Sequence, residues 1–271
     1  NIVDGFKMTL ISGPCVLESE DVANRVAEFI VRLTRDLPVN FIFKSSFEKA
    51  NRSSASSYRG PGIEEGLKIL QTIKNDFEIP VLTDIHSEMQ APLVGEVADI
   101  LQIPAFLSRQ TELLEAAGRT GKIVNIKKAQ FMAPEDMKMA AEKVSQVGNS
   151  NILLTERGTF FGYRNLVVDM RNLIIMNQLG YPIVFDATHS VQLPSASDGK
   201  SGGQPQFVSP LAQAAMATGH VSGLFLEVHP DPASAMSDAS SMLDLPQFRN
   251  LLYKALDIFE MIKKWKESSD E

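Results

Sequence analysis

Lys44, Lys49, Arg52, Arg109, Lys127 and Arg157 are the cations of this chain that could grip an anion, because each falls at or just beyond the end of a short β-branched or aromatic run. Arg forks bind phosphate or carboxylate in a bidentate way, and Lys serves either as a point charge. The chain carries 33 acidic against 26 basic residues, a formal charge of −7. A net-acidic protein that gathers cations in one place needs an anionic ligand there. Any one of them alone could be a solvated rim residue; six together point to a site. Ser46, Asn51 and Gln130 lie among them, and Asp84 and His86 end another run with side chains pointing the same way.

A second group could hold a metal ion. Cys15, His189 and Glu227 close the first, seventh and eighth runs, and Asp238 stands eleven residues past Glu227. Thiolate, imidazole and carboxylate together suit zinc, ferrous iron or manganese. The same residues also read as a small buried thiol and a hydrogen-bonded histidine without metal. Spacing does not separate these two readings.

The elements that must position these residues alternate in strict order. Strands are expected at Met8–Val16, Asn40–Phe47, Pro80–His86, Asp99–Pro104, Ile123–Ala129, Asn151–Arg157, Pro182–His189 and Gly223–His229. Amphipathic helices are expected at Glu20–Asp36, Gly62–Phe77, Ser87–Val97, Gln110–Arg119, Pro134–Val147, Asn165–Leu179, Pro210–Thr218 and Gln247–Lys266. Ser19 is placed to cap the first helix, and Gly121, Gly148 and Gly180 to stop the fourth, fifth and sixth. Eight strand–helix units predict a single-domain (β/α)₈ TIM barrel, for which 271 residues is an ordinary length. The rival, a doubly wound open sheet, lacks its Gly-rich dinucleotide fingerprint, since Gly13-Pro14-Cys15 stands at the end of the first strand instead. The charged residues then stand at the carboxyl ends of the strands, where barrels keep their active sites. Residues two apart on a strand share a face, so Lys44 with Ser46, Asn125 with Lys127, and Glu227 with His229 point together, over an apolar floor of Ile42, Leu82 and Phe225. Lys128 and Glu156 have the opposite parity and should face the helix layer or the rim. The long connections 191–206 and 230–244 are expected as functional lids or disordered segments.

Composition narrows the remaining choices. The acidic balance argues against a nucleic-acid partner, and no apolar run reaches the roughly 18 residues that cross a bilayer. A single cysteine excludes an internal disulfide framework and fits a reducing cytoplasm; Asn1–Thr9 has no secretory-signal pattern.

Several runs resemble the 3-deoxy-manno-octulosonate 8-phosphate synthase family. They are Gly13-Pro14-Cys15-Val16-Leu17-Glu18-Ser19, Phe43-Lys44-Ser45-Ser46-Phe47, Lys49-Ala50-Asn51-Arg52-Ser53-Ser54, Tyr58-Arg59-Gly60-Pro61-Gly62, the stretch from Ile103 to Thr111, and Phe161-Gly162-Tyr163. The resemblance extends from the first strand through Asp238. Related synthases that use erythrose 4-phosphate carry Lys-Pro-Arg-Thr where this chain has Lys-Ala-Asn-Arg. The resemblance implies that Lys44, Ser46, Lys49, Lys127, Gln130 and Arg157 bind phosphoenolpyruvate, and that Asn51, Arg52 and Ser53 bind arabinose 5-phosphate. Arg109 would reach the sugar phosphate from a neighbouring subunit of a homotetramer, and Asp84 and His86 would stand by the reacting groups. The family divides into metal-independent members, with Asn at the Cys15 position, and metal users. Cys15 and the run Ser237-Asp238-Ala239-Ser240 match the metal users, implying one divalent ion per subunit on Cys15, His189, Glu227 and Asp238. The implied reaction joins phosphoenolpyruvate to the aldehyde of arabinose 5-phosphate with loss of phosphate, with Lys49 the preferred group to stabilise the developing alkoxide. The rivals are an erythrose 4-phosphate synthase, a metal-dependent aldolase and a non-catalytic phosphosugar-binding protein.

Overall fold

The structure, a computed structural model, describes residues 3, 6–50, 58–161, 165–197 and 200–269. Strands β1 (Met8–Gly13), β2 (Val39–Lys44), β3 (Val81–Asp84), β4 (Ile100–Ile103), β5 (Ile123–Lys127), β6 (Ile152–Glu156), β7 (Ile183–Asp186) and β8 (Gly223–Glu227) close into a parallel barrel. Closure is made by β1, which pairs with β2 on one side and β8 on the other. Outside run helices α1 (Glu20–Thr34), α2 (Ile63–Phe77), α3 (Gln90–Val97), α4 (Thr111–Arg119), α5 (Met137–Ser145), α6 (Arg171–Asn177), α7 (Val208–Ala217) and α8 (Leu245–Ser269). This is the (β/α)₈ TIM barrel expected from the alternation of elements.

Side-chain parity divides the strands into two cores. Ile11, Ile42, Leu82, Ile100, Leu153, Val184 and Phe225 fill the barrel interior as one buried cluster. The other parity, with residues such as Leu10, Phe43, Ile126, Leu154, Phe185 and Leu226, packs outward against the helices. Two residues beyond the interior cluster, the inward positions turn polar: Lys44, Asp84, Gln102, Asn125, Thr155, Asp186 and Glu227 are all buried. The apolar plug therefore supports a polar tier at the carboxyl ends of the strands.

Several boundaries differ from expectation, each for a local reason. The strands end one to three residues earlier than expected, most of them at the last inward polar residue: Lys44, Asp84, Lys127, Asp186 and Glu227. Residues 165–167, expected as the start of a helix, instead form a strand paired with Thr159–Phe161, and α6 begins only at Arg171. Val and Leu there seat a hairpin after β6. The connection after β7 is not an irregular loop: Gln192–Ser197 and Lys200–Gly203 pair as an antiparallel hairpin. Ser19 does cap α1, its Oγ accepting from Val22 N at 3.2 Å.

Gly13 is the inward-facing residue of β1 that the barrel cannot replace. A Cβ built there would collide with the carbonyl of Lys44 on the neighbouring strand. The expected result for Gly13→Ala is a loss of about 1–3 kcal/mol in unfolding free energy from forced backbone separation, measured by urea denaturation. An unchanged midpoint would show that the strands have room to part.

Candidate active site

The polar tier carries its charges as buried pairs. Lys44 Nζ donates to Glu227 Oε1 at 2.6 Å and to the Cys15 carbonyl at 2.9 Å. Lys127 Nζ donates to Asp186 Oδ2 at 2.6 Å and lies 3.9 Å from the centre of the Phe225 ring. Asp186 Oδ1 accepts from the backbone N–H of His189 and from Thr188 Oγ1, while His189 Nδ1 approaches Asp186 Oδ2 to 2.7 Å. Beside these, Thr155 Oγ1 donates to Asn125 Oδ1 and Asn125 Nδ2 to Gln102 Oε1, a chain of hydrogen bonds that floors the mouth.

At the barrel seam Cys15, Glu227 and Asp238 offer ligand atoms that all lie within 4.8 Å of one another. His189 Nε2 stands 3.5 Å from Glu227 Oε2 and 3.9 Å from Asp238 Oδ2, so the imidazole adjoins that cluster without being as tightly gathered. Cys15 Sγ lies 3.0 Å from Asp238 Oδ2 and 3.1 Å from Ser237 Oγ. Glu227 Oε2 is buried and, among the described residues, makes no hydrogen bond. A buried carboxylate oxygen without a donor, facing a thiol, an imidazole and a second carboxylate, is the chemistry of a divalent-ion site. Asp238 reaches the cluster from a strained backbone, φ 49°, and its carbonyl accepts from the Ser241 and Met242 N–H groups, fixing the loop.

Electrostatics follow from this crowding. Burial pushes the Cys15 thiol well up, and the neighbouring Asp238 and Glu227 carboxylates reinforce it against Lys49 and Lys44. Burial would also raise the Glu227 and Asp186 carboxyls, but adjacent His189 and the lysines outweigh it and hold both well below the usual range. Lys49, burial notwithstanding, is held above the ordinary lysine value by Cys15, Glu227, Asp84 and Asp238. Burial lowers Lys127 and Arg157. Arg157 Nη2 donates to Gln192 Oε1 at 2.9 Å, whereas Nη1 is buried with no partner among the described residues. Gln130 Oε1 is likewise buried and unpartnered. The open guanidinium nitrogen is a donor suited to a small polyoxygenated anion, while the open amide oxygen of Gln130 is an acceptor suited to a hydroxyl or a water.

On the opposite side of the mouth, Ser46 Oγ donates to Asp84 Oδ1 by a very short hydrogen bond, and His86 Nε2 lies 2.8 Å from Asp84 Oδ2. His86 is further held by Gln90 Oε1, which accepts its backbone N–H, and by edge-on contact with Phe47. Burial would lower the imidazole, but the Asp84 hydrogen bond and charge raise it overall. Burial would raise the Asp84 carboxyl; His86, Lys49 and Lys44 bring it far down instead.

The fold thus brings Cys15, Lys44, Ser46, Lys49, Asp84, His86, Lys127, Gln130, Arg157, His189, Glu227 and Asp238 to one end of the barrel. Arg109 does not join them. It is exposed beyond the turn Ala105–Leu107, beside Phe106, which is also exposed. Asn51, Arg52 and Ser53 lie outside the described residues, as does part of the Phe161-Gly162-Tyr163 run. Asp186, Gln102 and Gln192 were not singled out as site residues from the sequence. Asp186, the last residue of β7, and Gln102, one short of the end of β4, share the inward parity of Lys44 and Asp84, which is the signal that could have found them. Gln192 has no such signal, because the hairpin that carries it is not legible as a hairpin.

A closed parallel barrel with buried cations, an open guanidinium nitrogen and a thiol–carboxylate cluster in one mouth has the make-up of an enzyme active site. By sequence the chain belongs to the DAHP synthetase I family, whose pattern matches residues 2–264. It is 53% identical over 261 residues to the 2-dehydro-3-deoxyphosphooctonate aldolase of Syntrophotalea carbinolica, covering 96% of this chain and 94% of the relative. The protein of the same name from Koribacter versatilis is 54% identical over 263 residues, covering 96% and 94%. That from Synechococcus sp. is 53% identical over 262 residues, covering 97% and 92%.

The His86–Asp84 pair has a pH signature. A histidine raised on folding contributes stability that is full below its unfolded value of about 6.5 and is lost as pH rises through the higher folded value. The stability difference between the unaltered chain and His86→Gln, from urea denaturation, is expected to be largest at pH 6 and to shrink toward pH 9. A difference that grows with pH would reverse the assigned sign.

Proposed function

We propose that this chain condenses phosphoenolpyruvate with arabinose 5-phosphate and water, giving 2-dehydro-3-deoxyphosphooctonate and inorganic phosphate. What carries the reading is the open donor Nη1 of Arg157, buried with Lys127 at the same end of the barrel as the Cys15–Glu227–Asp238 cluster. The relatives' name specifies an eight-carbon product, which a three-carbon enol phosphate and a five-carbon aldose phosphate supply. The mouth has charges on both sides for two anionic partners.

Lys127, Gln130 and Arg157 hold the carboxylate and phosphate of the enol, fixing its methylene carbon toward the aldehyde. That carbon attacks the aldehyde carbon, the new C–C bond forming as the aldehyde oxygen takes the electron pair. Lys49, kept cationic by the neighbouring carboxylates of Glu227, Asp84 and Asp238, stands to neutralise the developing alkoxide. The protonated His86, oriented by Asp84 and Ser46, is placed to supply a proton to that oxygen. Water adds at the enol carbon left cationic by that attack and gives up one proton to solvent; the tetrahedral centre then forms its carbonyl as the hydroxyl proton leaves and phosphate departs with the C–O bond electrons. Asn51, Arg52 and Ser53 are assigned to the sugar phosphate, together with Arg109 of a neighbouring subunit in a homotetramer. A divalent ion bound by Cys15, His189, Glu227 and Asp238, zinc, ferrous iron or manganese by donor type, would supply Lewis acidity at a bound oxygen. His189 would present Nε2 to it, with Nδ1 turned to Asp186. Among the described residues no helix is long and apolar enough to cross a membrane; a cytoplasmic enzyme acting as one catalytic domain is the setting that fits.

Phosphate release is expected only with both phosphoenolpyruvate and arabinose 5-phosphate present, and turnover of erythrose 4-phosphate at least tenfold slower. Comparable rates with the four-carbon sugar would transfer the reading to the rival synthase. Chelation should remove more than nine-tenths of the activity, and metal add-back should restore it. Cys15→Ala should retain less than a tenth of an equivalent of metal by elemental analysis while keeping its circular dichroism; a full equivalent in that variant refutes the ligand set. Arg157→Lys, which replaces a fork by a point charge, should raise KM for phosphoenolpyruvate about 10- to 100-fold, or about 1.4–2.7 kcal/mol.

A further inference from the structure

Lys128 and Glu156 are fully buried and lie on the helix side of the barrel, among the aliphatic side chains that pack β5 and β6 against the helices. Their charged ends are 3.6 Å apart. Such a pair gives no stability that a well-packed apolar pair would not match, because removing two charges from water offsets their attraction. What they bond to gives the reason for their presence. Glu156 Oε1 accepts the backbone N–H of Arg157 at 3.0 Å and of Gly158 at 2.6 Å, and Oε2 accepts from Asn172 Nδ2 of α6 at 3.2 Å. Lys128 Nζ donates to the carbonyls of Ala129 at 3.2 Å and Met132 at 3.3 Å, and to Thr159 Oγ1 at 3.2 Å. The Ala129 and Met132 carbonyls bracket Gln130, and the Gln130 carbonyl in turn accepts from Phe160 N at 2.9 Å.

We propose that Lys128 and Glu156 are positioning residues for the phosphoenolpyruvate clamp: Glu156 sets the backbone that aims Arg157 into the mouth, and Lys128 holds the turn that presents Gln130. Glu156 sits one residue before Arg157, with opposite parity, so it grips from behind the strand what its neighbour offers in front; Lys128, two residues before Gln130, holds the carbonyls on either side of it. The pair joins two strands, a helix and the hairpin after β6 into one support. Neither side chain touches substrate. Gly158, at φ 94°, lets the chain turn away immediately after Arg157, so the Glu156 carboxylate can reach both N–H groups.

This inference rests on the reading of the mouth as a phosphoenolpyruvate site. Two charge-neutral double variants test it without leaving a lone buried charge. Lys128→Met with Glu156→Gln keeps an oxygen for the Arg157 and Gly158 N–H groups but releases the Gln130 turn. KM for phosphoenolpyruvate should rise about threefold. Lys128→Met with Glu156→Leu removes both supports and should raise it tenfold or more. In both, KM for the sugar phosphate and kcat per folded molecule should stay within twofold. An unchanged phosphoenolpyruvate KM in the glutamine variant, with only its melting temperature lowered, makes the pair merely structural and overturns the proposal; so does an equal rise in both KM values. Should the leucine variant fail to fold, the glutamine variant decides alone. If the unaltered protein shows no condensation, the functional reading fails, and calorimetric titration with phosphoenolpyruvate reads the clamp independently: equal affinity in the unaltered and glutamine proteins overturns it.

Discussion

A charge placed inside a closed barrel must be neutralised where it stands, and that requirement organises the mouth of this protein. Lys44 and Lys127 project from the interior face of their strands directly above Phe225, with almost no exposure to water. Leaving either alone would cost about 3–5 kcal/mol. Glu227 and Asp186 stand within hydrogen-bond distance of them, each on the next strand but one. Because each carboxylate also faces His189, the two pairs and the imidazole form one connected electrostatic unit. Disturbing any member alters the charge balance felt by the others.

That unit explains how a net-acidic chain can present a cationic face to an anion. The carboxylates are drawn inward onto lysines and the imidazole, while Arg157 Nη1 has no partner among the described residues. Asp186 has the heaviest load. It accepts from Lys127, from Thr188 and from the backbone of His189, and it orients the histidine ring. On the other wall, Asp84 does similar work for Ser46 and His86. Each wall thus has one carboxylate that fixes the groups around it and does not itself need to meet substrate.

Much of this was legible in the amino-acid order, for a physical reason. Parallel barrels put every strand end on one side, so a polar residue after an apolar run is enough to locate Lys44, Asp84, Lys127, Arg157 and Glu227 in a shared mouth. Period-two parity then separated Ile42, Leu82 and Phe225, which fill the interior, from Lys128 and Glu156, which face the helices. The rest depends on three-dimensional approach. Asp186 looked like one more strand-end acid, because its work is defined by Lys127, 59 residues away in sequence. Residues 165–167 carry a helix-compatible pattern, yet pair with Thr159–Phe161 because the hairpin covers the end of β6. Arg109 is rim-exposed on its own chain, and no periodicity distinguishes a residue turned toward solvent from one turned toward another subunit.

The seam between β1 and β8 has a further bearing on how the protein matures. Cys15 and Asp238 belong to opposite ends of the chain, 223 residues apart, and meet only because Gly13 registers against Glu227 when the last strand docks beside the first. An ion captured there would therefore be captured by the finished cylinder, not by any nascent part of it. Its binding free energy would act as a clasp on the joint, strengthening the one strand pairing that no short-range connection helps to form.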